Sequence, residues 1–377
     1  MSKSIKTRTR YCLTGADYSA QEPRSLAAFS KDKDMIDAYN QGKDLYAVIA
    51  SKCFHNNYED NLEFITQPDG SKVKSQEGAA RRSKAKTVLL GTMYGMGPST
   101  LAERLGLSIE ESNKIINSFY DNFKGVKKFT EESQKMAHDL GYVTDIFGRR
   151  RHLDDATLEP FEVTSKNDVE EFNPFLGVKH RVNKNTLAKI ESYKKKLNDA
   201  KYKGEVEKIK KEAETKGLIV KNNGGFISRA LRQTLNARIQ GTAASMTKLA
   251  MIKLDNDEKL KKLGFRLLVT VHDEVFGECP IANAEEVTKR VSELMVEAAK
   301  VKCNIVPWKC DGYTVSRWYL DELASKVQDD YNDLIYKNNL SEEDALEKVK
   351  ENYSHIKGTT IESFIKEDYN FIENNEI

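Results

Sequence analysis

An acidic break separates two short apolar runs in residues 265–278, which read FRLLVTVHDEVFGE. The break consists of His272, Asp273 and Glu274. Two short apolar runs with a polar interruption predict two strands joined by a tight turn. Carboxylates at the end of a buried strand pair lose hydration unless a positive charge compensates them, so we predict that Asp273 binds a metal ion. An acidic turn that faces solvent explains this stretch equally well.

A second candidate site is a row of four side chains at every fourth position of a helix predicted over residues 76–93. The row consists of Arg82, Lys86, Leu90 and Tyr94. It is cationic at one end and aromatic at the other, and Lys86 to Tyr94 spans about 12 Å at about 1.5 Å of rise per residue. This length matches a nucleotide from its triphosphate to its base, so the row predicts a nucleotide site. The alternative is an amphipathic helix whose cations face water.

Two further groups of polar residues suit contact with nucleic acid. Arg149, Arg150 and Arg151 follow a glycine turn and predict phosphate contacts, although Asp154 or Asp155 offers an alternative partner. Arg232, Asn236 and Gln240 recur at every fourth position of a helix predicted over residues 228–256. These side chains can donate to the acceptors of the minor groove, whose pattern depends little on sequence. A solvated polar helix face is the alternative for this second row.

The first strand predicted along the chain, residues 11–18, also ends in a carboxylate, Asp17. A helix follows from Gln21 to about Phe29, with Pro23 in its first turn, where proline is tolerated. Asp44 is a suitable N-cap for a helix that ends near Phe54.

Composition excludes several classes of protein. The 377 residues are 31% charged and 39% hydrophobic, and no apolar run is long enough to span a bilayer. The basic N-terminus has no apolar stretch behind it, so we expect no secretory signal and no membrane association. Five cysteines without a C-x-x-C spacing suit reduced thiols, and we expect a cytoplasmic protein (host cytoplasm if the source is viral).

Two segments depart from the average composition. Residues 184–216 contain 11 lysines against 6 acids, which predicts a solvated helix or helical pair after an irregular stretch that begins at residue 155. Contact with a polyanion is the alternative. Residues 319–377 contain 15 acids against 6 lysines and predict an acidic helical extension.

Five motifs together resemble the DNA polymerase I-like (family A) DNA polymerases. They occur in the family order and cover about residues 11–318 with one insertion. They are Asp17-Tyr18-Ser19-x-x-Glu22-x-Arg24, Arg82-x-x-x-Lys86-x-x-x-Leu90-Gly91-x-x-Tyr94-Gly95, Phe147-Gly148-Arg149-Arg150-Arg151, Asn236-x-x-x-Gln240-Gly241 and His272-Asp273-Glu274.

The resemblance implies a role for each candidate residue. Asp17 and Asp273, assisted by Glu274, would hold two Mg²⁺ ions that activate the primer 3′-hydroxyl and stabilise the leaving pyrophosphate. Lys86 would also act in catalysis by protonating the leaving group. The deoxynucleoside triphosphate (dNTP) would be bound by Glu22, Arg82, Lys86, Leu90 and Tyr94. Glu22 would also exclude a 2′-hydroxyl. Primer-template DNA would be bound by Arg149, Arg150, Arg151, Arg232, Asn236, Gln240 and His272.

The sequence also departs from the family pattern. Leu90 replaces an aromatic residue, Tyr46 a histidine and Arg238 a proline. Only sixteen residues precede Asp17, where family members carry a thumb and often an exonuclease domain. We therefore expect that the thumb is absent from this chain, that a second chain supplies it, and that the source is a bacteriophage.

The resemblance implies an α+β fold, with a right-hand palm whose antiparallel sheet holds Asp17 and Asp273, and mainly helical fingers. The predicted parts are palm over residues 1–46 and 229–318, fingers over 47–154, a Lys-rich insertion over 155–228 and the acidic extension over 319–377. Two alternatives stay open. One is an enzyme like the single-subunit RNA polymerases, which Glu22 and the complete His-Asp-Glu disfavour. The other is a non-catalytic DNA-binding subunit, which the presence of Asp17, Asp273, Arg82 and Lys86 disfavours.

Overall fold

The computed structural model describes residues 11–67, 70–166, 170–173, 177–180, 184–315, 327, 330, 331, 333–335 and 340–354. The basic N-terminus, Trp318 and much of the predicted acidic extension lie outside the described residues. Among the residues that the structure describes, no helix combines the length and the apolar character needed to cross a membrane.

The helices, in chain order, are α1 Gln21–Ser30, α2 Lys33–Asn40, α3 Leu45–Phe54, α4 Gln76–Met93, α5 Pro98–Leu105, α6 Ile109–Asn122, α7 Lys124–Leu140, α8 Lys184–Asp199, α9 Lys203–Thr215, α10 Gly224–Asn256, α11 Glu258–Lys262, α12 Ala284–Lys300 and α13 Glu342–Asn352. The strands are β1 Tyr11–Tyr18, β2 Phe64–Thr66, β3 Lys72–Lys74, β4 Tyr142–Thr144, β5 Arg150–His152, β6 Phe161–Ser165, β7 Glu170–Asn173, β8 Gly177–His180, β9 Leu218–Asn222, β10 Arg266–Val271, β11 Glu274–Pro280 and β12 Cys310–Val315. Antiparallel sheets beside many helices confirm the predicted α+β class.

The chain forms two compact units. One contains Met1–Ala28 and Thr242–Ile377, and the other contains Phe29–Gly241. The borders of the palm that the sequence analysis predicts lie at residues 46 and 229 instead. Both borders of the compact units fall inside helices, α1 and α10, where no change in composition marks them.

The first unit is built on a four-stranded antiparallel sheet in the order β10-β11-β1-β12. β1 is almost entirely buried and lies between β11 and β12. Helix α12 contacts β1 and β12, and its buried residues recur at helical spacing from Val287 through Val291, Leu294 and Met295 to Ala298. The Tyr18 hydroxyl donates to the Met295 carbonyl at 2.7 Å. The helix thus anchors the carboxyl end of β1.

Helices dominate the second unit. α3 contacts both α4 and α6, and α4 also contacts α5. α4 begins and ends at the predicted residues. Its start is fixed by an N-cap, because the Ser75 hydroxyl accepts from the Gly78 amide. The predicted capping box of α6 is also present, with Ser108 and Glu111 each bonding the other's backbone amide.

The Lys-rich segment contains the predicted helical pair, α8 and α9, and a small core. Its buried side chains are Val163, Tyr193, Leu197, Ala213, Leu218 and Val220. The prediction that residues from 155 onward are irregular was wrong, because β6 pairs with β9 across an intervening stretch of more than fifty residues. The lysines mostly face solvent, as the preferred solvated interpretation requires, and most of the large apolar residues face inward, whereas Leu187 and Tyr202 are exposed.

One buried cation is central to the second unit. Arg238 on α10 is 7% exposed, and its guanidinium carbon lies against the contacting rings of Phe29 and Phe129, 4.3 and 4.4 Å from their centroids. Its Nη1 donates to Ser133 Oγ at 2.8 Å, and its Nε donates to the Thr144 carbonyl at 3.0 Å. Burial lowers the pKa of Arg238 to about 10, so the side chain stays charged at neutral pH. The residue that departs from the family pattern is therefore fully integrated in the packing.

We predict that Arg238→Ala lowers the free energy of unfolding by about 2–4 kcal/mol, because it removes the donor to the buried Ser133 hydroxyl and to the partly buried Thr144 carbonyl and opens a gap beside the two rings. Arg238→Met fills the gap and should cost less. Thermal and urea unfolding followed by circular dichroism measure both effects. Arg104→Ala, on the exposed surface of α5, is the control, and an equal loss in this variant would contradict the prediction.

Candidate active site

The sheet of the first unit brings three of the predicted acids together. Asp17 lies near the end of β1 and pairs in register with Glu274, the first residue of β11. Asp273 lies in the turn before β11, and its carbonyl accepts from the Tyr18 amide at 3.3 Å. The predicted partnership of Asp17 with the His-Asp-Glu hairpin is thus a consequence of strand pairing between residues more than 250 positions apart.

The turn of this hairpin has an unusual backbone. Val271 pairs with Glu274, so His272 and Asp273 alone form the turn. His272 has φ of 56° and is exposed. This region favours glycine, and non-glycine residues held there cluster at functional sites, where the surrounding structure maintains them. A histidine at this position is costlier than the Asn-Gly of an ordinary hairpin.

The electrostatics of the cluster favour a cation. Burial, followed by the charges of Asp273, Glu274 and Asp311, raises the pKa of Asp17 from 3.8 to about 6. Asp311 pairs in register with Asp17 from the other side and is partly balanced by Lys309, whose Nζ lies 2.5 Å from its carboxylate. Asp17 itself nonetheless remains exposed, and no ion pair joins it to a cation among the described residues, so a bound cation would stabilise its charge.

Glu274 is oriented by a hydroxyl that the sequence did not reveal. The Tyr313 hydroxyl on β12 donates to Glu274 Oε1 at 2.7 Å, and burial together with Glu274 raises the pKa of this phenol, so it stays protonated. Gly15 lies between them on β1, where an added Cβ would come within 2.9 Å of the Tyr313 oxygen and 2.5 Å of Phe276 Cβ. The absence of a side chain at Gly15 thus lets Tyr313 reach across the sheet.

The donor chemistry fits Mg²⁺ in one particular way. Within the described residues, no three His, Cys, Asp or Glu side chains are grouped closely enough to complete a metal site. Mg²⁺ commonly keeps several waters and binds one or two carboxylates together with substrate phosphates. Asp17 and Asp273 therefore suit an ion whose remaining ligands come from water and a phosphate. Glu274, already bonded to Tyr313, stays a predicted ligand.

The start of α1 is held firmly beside the sheet. Gln21 is buried and donates to Thr247 Oγ1 at 3.2 Å. Arg24 Nε donates to the Ser19 carbonyl at 2.8 Å, and Arg24 Nη1 donates to the Pro307 carbonyl. Glu22 lies half-buried in the first turn between these two anchored residues. The arginine of the first motif thus fixes the chain after β1.

The predicted cationic row lies on α4 in the second unit. Lys86 is exposed and has no ion pair among the described residues, Leu90 is half-buried, and Tyr94 is 44% exposed at the helix end. Gly95, with φ of 68°, lies against α10, and an added Cβ would come within 2.4 Å of the Arg232 carbonyl oxygen. Glycine is therefore required beside Tyr94 for contact between these helices.

Arg82 differs from Lys86 because carboxylates already surround it. Its Nε donates to Asp44 Oδ2 at 2.6 Å, its Nη1 lies 3.7 Å from Glu63 Oε2, and its guanidinium carbon lies 5.1 Å from the centre of the Tyr46 ring. The predicted phosphate ligand is thus half-buried and ion-paired.

The three predicted arginines follow an organised turn, with Arg149 just before β5 and Arg150 and Arg151 as its first two residues. The buried Asp145 accepts the backbone amides of Phe147 and Arg149 through Oδ1, each at 2.9 Å. Arg149, Arg150 and Arg151 are all exposed, and among the described residues no ion pair joins them to an acid. Asp155 instead pairs with Arg229 at 3.4 Å, so the alternative partnership considered from the sequence is not found there.

The polar row on α10 faces outward as its spacing predicts. Arg232 and Gln240 are exposed and Asn236 is half-buried, whereas Leu235 and Ile239 are buried on the other face. The row and the arginine turn belong to the second unit, and the acids and His272 belong to the first.

Sequence patterns missed three residues that shape these sites: Tyr313, Asp145 and Glu63. Each acts through a partner distant along the chain or inside an irregular turn. Asp145 offered the clearest signal, since an Asp three residues before a glycine turn often accepts backbone amides.

Comparison with known proteins identifies the family of this chain. The model of DNA polymerase family A matches residues 2–175 and 182–320. DNA polymerase I of Bacillus subtilis (strain 168) is 29% identical over 315 residues, covering 84% of this chain and 26% of that protein. DNA polymerase I of Geobacillus stearothermophilus is 27% identical over 315 residues, covering 84% of this chain and 27% of that protein.

A solved structure is also similar: the POL domain of Pol1 from M. smegmatis, in complex with DNA primer-template and dNTP. It aligns with a TM-score of 0.56 and 25% sequence identity, covering 83% of this chain and 41% of that chain. The chain spans about a quarter of the length of the curated relatives it matches. Because the family model covers most of its residues, the chain belongs to DNA polymerase family A.

Proposed function

We propose that this chain performs the nucleotidyl-transfer step of template-directed DNA synthesis, adding dNTPs to a primer 3′-hydroxyl. The observation that carries the proposal is the pairing of Asp17 with the His272–Glu274 hairpin on neighbouring strands. The raised pKa of Asp17 supports a site that requires a cation. Family membership supports the reaction class, and the solved relative with DNA primer-template and dNTP supports the partners.

We assign Asp17 and Asp273 as the metal-holding carboxylates, with Glu274 assisting. Two Mg²⁺ ions, when bound, supply Lewis-acid chemistry at the primer hydroxyl and the phosphates. Tyr313 keeps Glu274 oriented toward β1 through its hydrogen bond. The strained turn at His272 directs an exposed imidazole away from the buried strands, where it can contact the primer end.

We assign nucleotide binding to Glu22 and to the row on α4. Lys86 has the exposure and the charge to meet a triphosphate and to donate a proton to the leaving pyrophosphate. Tyr94 offers an exposed ring for stacking near the new base pair. Glu22, held between Gln21 and Arg24, is rigid enough to exclude a 2′-hydroxyl, and Leu90 provides a smaller apolar contact than the aromatic residue of the family pattern.

We assign primer-template contact to the arginine turn and to the polar row on α10. Arg149, Arg150 and Arg151 are exposed cations that no described acid neutralises, so their phosphate contacts would release counterions and weaken with salt. Arg232, Asn236 and Gln240 carry donors suited to minor-groove acceptors.

Asp273→Asn should abolish primer extension while leaving DNA binding within about twofold of the unchanged protein, because it removes a metal-holding charge but no DNA contact. Single-nucleotide extension in gels and fluorescence anisotropy of labelled primer-template measure the two properties. Asp255→Asn, at an exposed position near the end of α10, is the matched control. Undiminished extension by Asp273→Asn would falsify the metal assignment.

A second prediction concerns stability without metal. Because the folded state raises the pKa of Asp17 to about 6, the ionised group destabilises the folded chain above that pH, and the penalty disappears as pH falls toward 4. Asp17→Asn should therefore raise the melting temperature at pH 7.5 in chelator and change it less at pH 4.5. Calorimetry at both pH values measures the difference. A melting temperature at pH 7.5 equal to or below that of the unchanged protein would contradict the electrostatic account.

The second polypeptide expected from the sequence stays a prediction. The region matched in the relatives is about a quarter of their length, so the duplex grip supplied by the rest of such a polymerase lies outside the matched region. We expect this chain alone to extend primers by short, salt-sensitive additions, and a partner carrying thumb-like helices to lengthen the products. Extension on a long template with a trap for free enzyme measures this, and long products from the chain alone would refute it.

A further inference from the structure

The guanidinium of Arg82 is held in a pocket of the second unit before any nucleotide is bound. Asp44 Oδ2 receives its Nε at 2.6 Å, and both side chains are 28% exposed. Charge-assisted contacts of this length are among the stronger hydrogen bonds in proteins. Among the described residues, Asp44 alone accepts a hydrogen bond from this guanidinium. The predicted triphosphate ligand therefore has a fixed starting position.

The carboxylate of Asp44 is itself immobilised. Its other oxygen, Oδ1, accepts the backbone amides of Tyr46 at 2.8 Å and Ala47 at 3.2 Å, which caps α3. One carboxylate thus joins the N-terminus of α3 to a side chain of α4. Because the helix cap fixes the carboxylate, Asp44 cannot follow Arg82 if the guanidinium moves away.

Glu63 contacts the same guanidinium differently. Its Oε2 lies 3.7 Å from Arg82 Nη1, which is an ion pair but is too long for a hydrogen bond. Its other oxygen lies 3.5 Å from Lys74 Nζ. Glu63 precedes β2 of an exposed two-stranded hairpin, where its backbone carbonyl accepts from the Ser75 amide at 2.8 Å. Among the described residues, its side chain forms only these two ion pairs. Its carboxylate lies where a phosphate would approach Nη1.

The two carboxylates leave one edge of Arg82 available. Nε is occupied by Asp44, whereas Nη1 and Nη2 form no hydrogen bond to a described residue. Arginine binds phosphate best through two parallel N–H groups, and fixing Nε sets the plane of those groups. The Tyr46 ring lies against one face of the guanidinium, 5.1 Å away, which further limits its rotation.

We propose that Asp44 is a positioning residue for Arg82 and that Glu63 competes with the incoming triphosphate for the same guanidinium. The proposal rests on the proposed function, in which Arg82 binds the triphosphate. Asp44 raises affinity by holding Arg82 ready, and Glu63 lowers affinity because its carboxylate must be displaced. Two acids on one arginine therefore act in opposite directions.

The experiment compares substitutions of Asp44 and Glu63, which should change the affinity for dNTP in opposite directions. Asp44→Asn keeps a good helix cap but loses the charge that orients Arg82, and it should raise KM for dNTP about tenfold with little change in kcat. Glu63→Gln removes the competing charge and should lower KM about two- to threefold. Both values come from single-nucleotide primer extension at saturating primer-template. Melting temperatures of the two variants should match the unchanged protein, which separates positioning from loss of structure.

A matched control and a background variant sharpen the test. Glu77→Gln removes the carboxylate that pairs with the neighbouring Arg81 on α4 at 3.0 Å, and it should leave KM unchanged. In an Arg82→Ala background, Asp44→Asn and Glu63→Gln should have no further effect on KM, because their shared partner is gone. The proposal would be overturned if both substitutions shifted KM in the same direction or by no more than Glu77→Gln does. It would also be overturned if the shifts in KM persisted without Arg82.

A binding measurement separates this inference from the proposed function. Titration of the full chain with a fluorescent N-methylanthraniloyl dATP, without DNA, should give the same order: Glu63→Gln tightest, the unchanged protein next, Asp44→Asn weakest. If the unchanged protein extends no primer, the proposed function fails, and this order still decides the roles of Asp44 and Glu63. A different order in binding overturns the inference even when extension is normal.

Discussion

The pairing of Asp17 with Glu274 across β1 and β11 is the constraint on which the first unit depends. It brings carboxylates from the two ends of the chain to one sheet edge, where burial and mutual repulsion raise the pKa of Asp17. Such a cluster is unfavourable by itself, and the neighbouring packing must compensate for it. α12 covers the sheet, Tyr18 bonds to Met295, and Gly15 gives Tyr313 access to Glu274. The unit thus maintains a cluster of acids at the end of β1.

The second unit contains positively charged side chains in three different environments. They differ in how deeply they are buried and in how many acids they contact. Arg238 is buried against two aromatic rings and serves packing. Arg82 is half-buried and ion-paired, so a ligand must compete for it. Lys86, Arg149, Arg150 and Arg151 are exposed and have no described acid as a partner, so a ligand would not have to displace a carboxylate from them.

Local signals in the sequence located elements well and contacts poorly. α4 was predicted to its first and last residues, and the capping box of α6 was found, because caps are encoded within four residues. The pairing of β6 with β9 was missed, since neither strand alternates clearly and their separation exceeds any local pattern. The acids of the candidate site came from family motifs, but Tyr313, Asp145 and Glu63 act through folded geometry that no motif contains. The predicted hairpin also has a bulge between Leu267 and Val269 that its apolar run did not indicate.

The departures from the family pattern are best understood by what surrounds them. Arg238 stands where proline is common, and it donates to Thr144 and Ser133, so the helix and the strand before the arginine turn are joined by a side chain. Tyr46 stands where histidine is common, and its ring supports the guanidinium of Arg82. A histidine there would add a titratable donor of its own, whereas tyrosine adds an apolar face. Tyr46 therefore packs against Arg82 without adding a charge of its own, and the ion pairs with Asp44 and Glu63 set the position of the guanidinium.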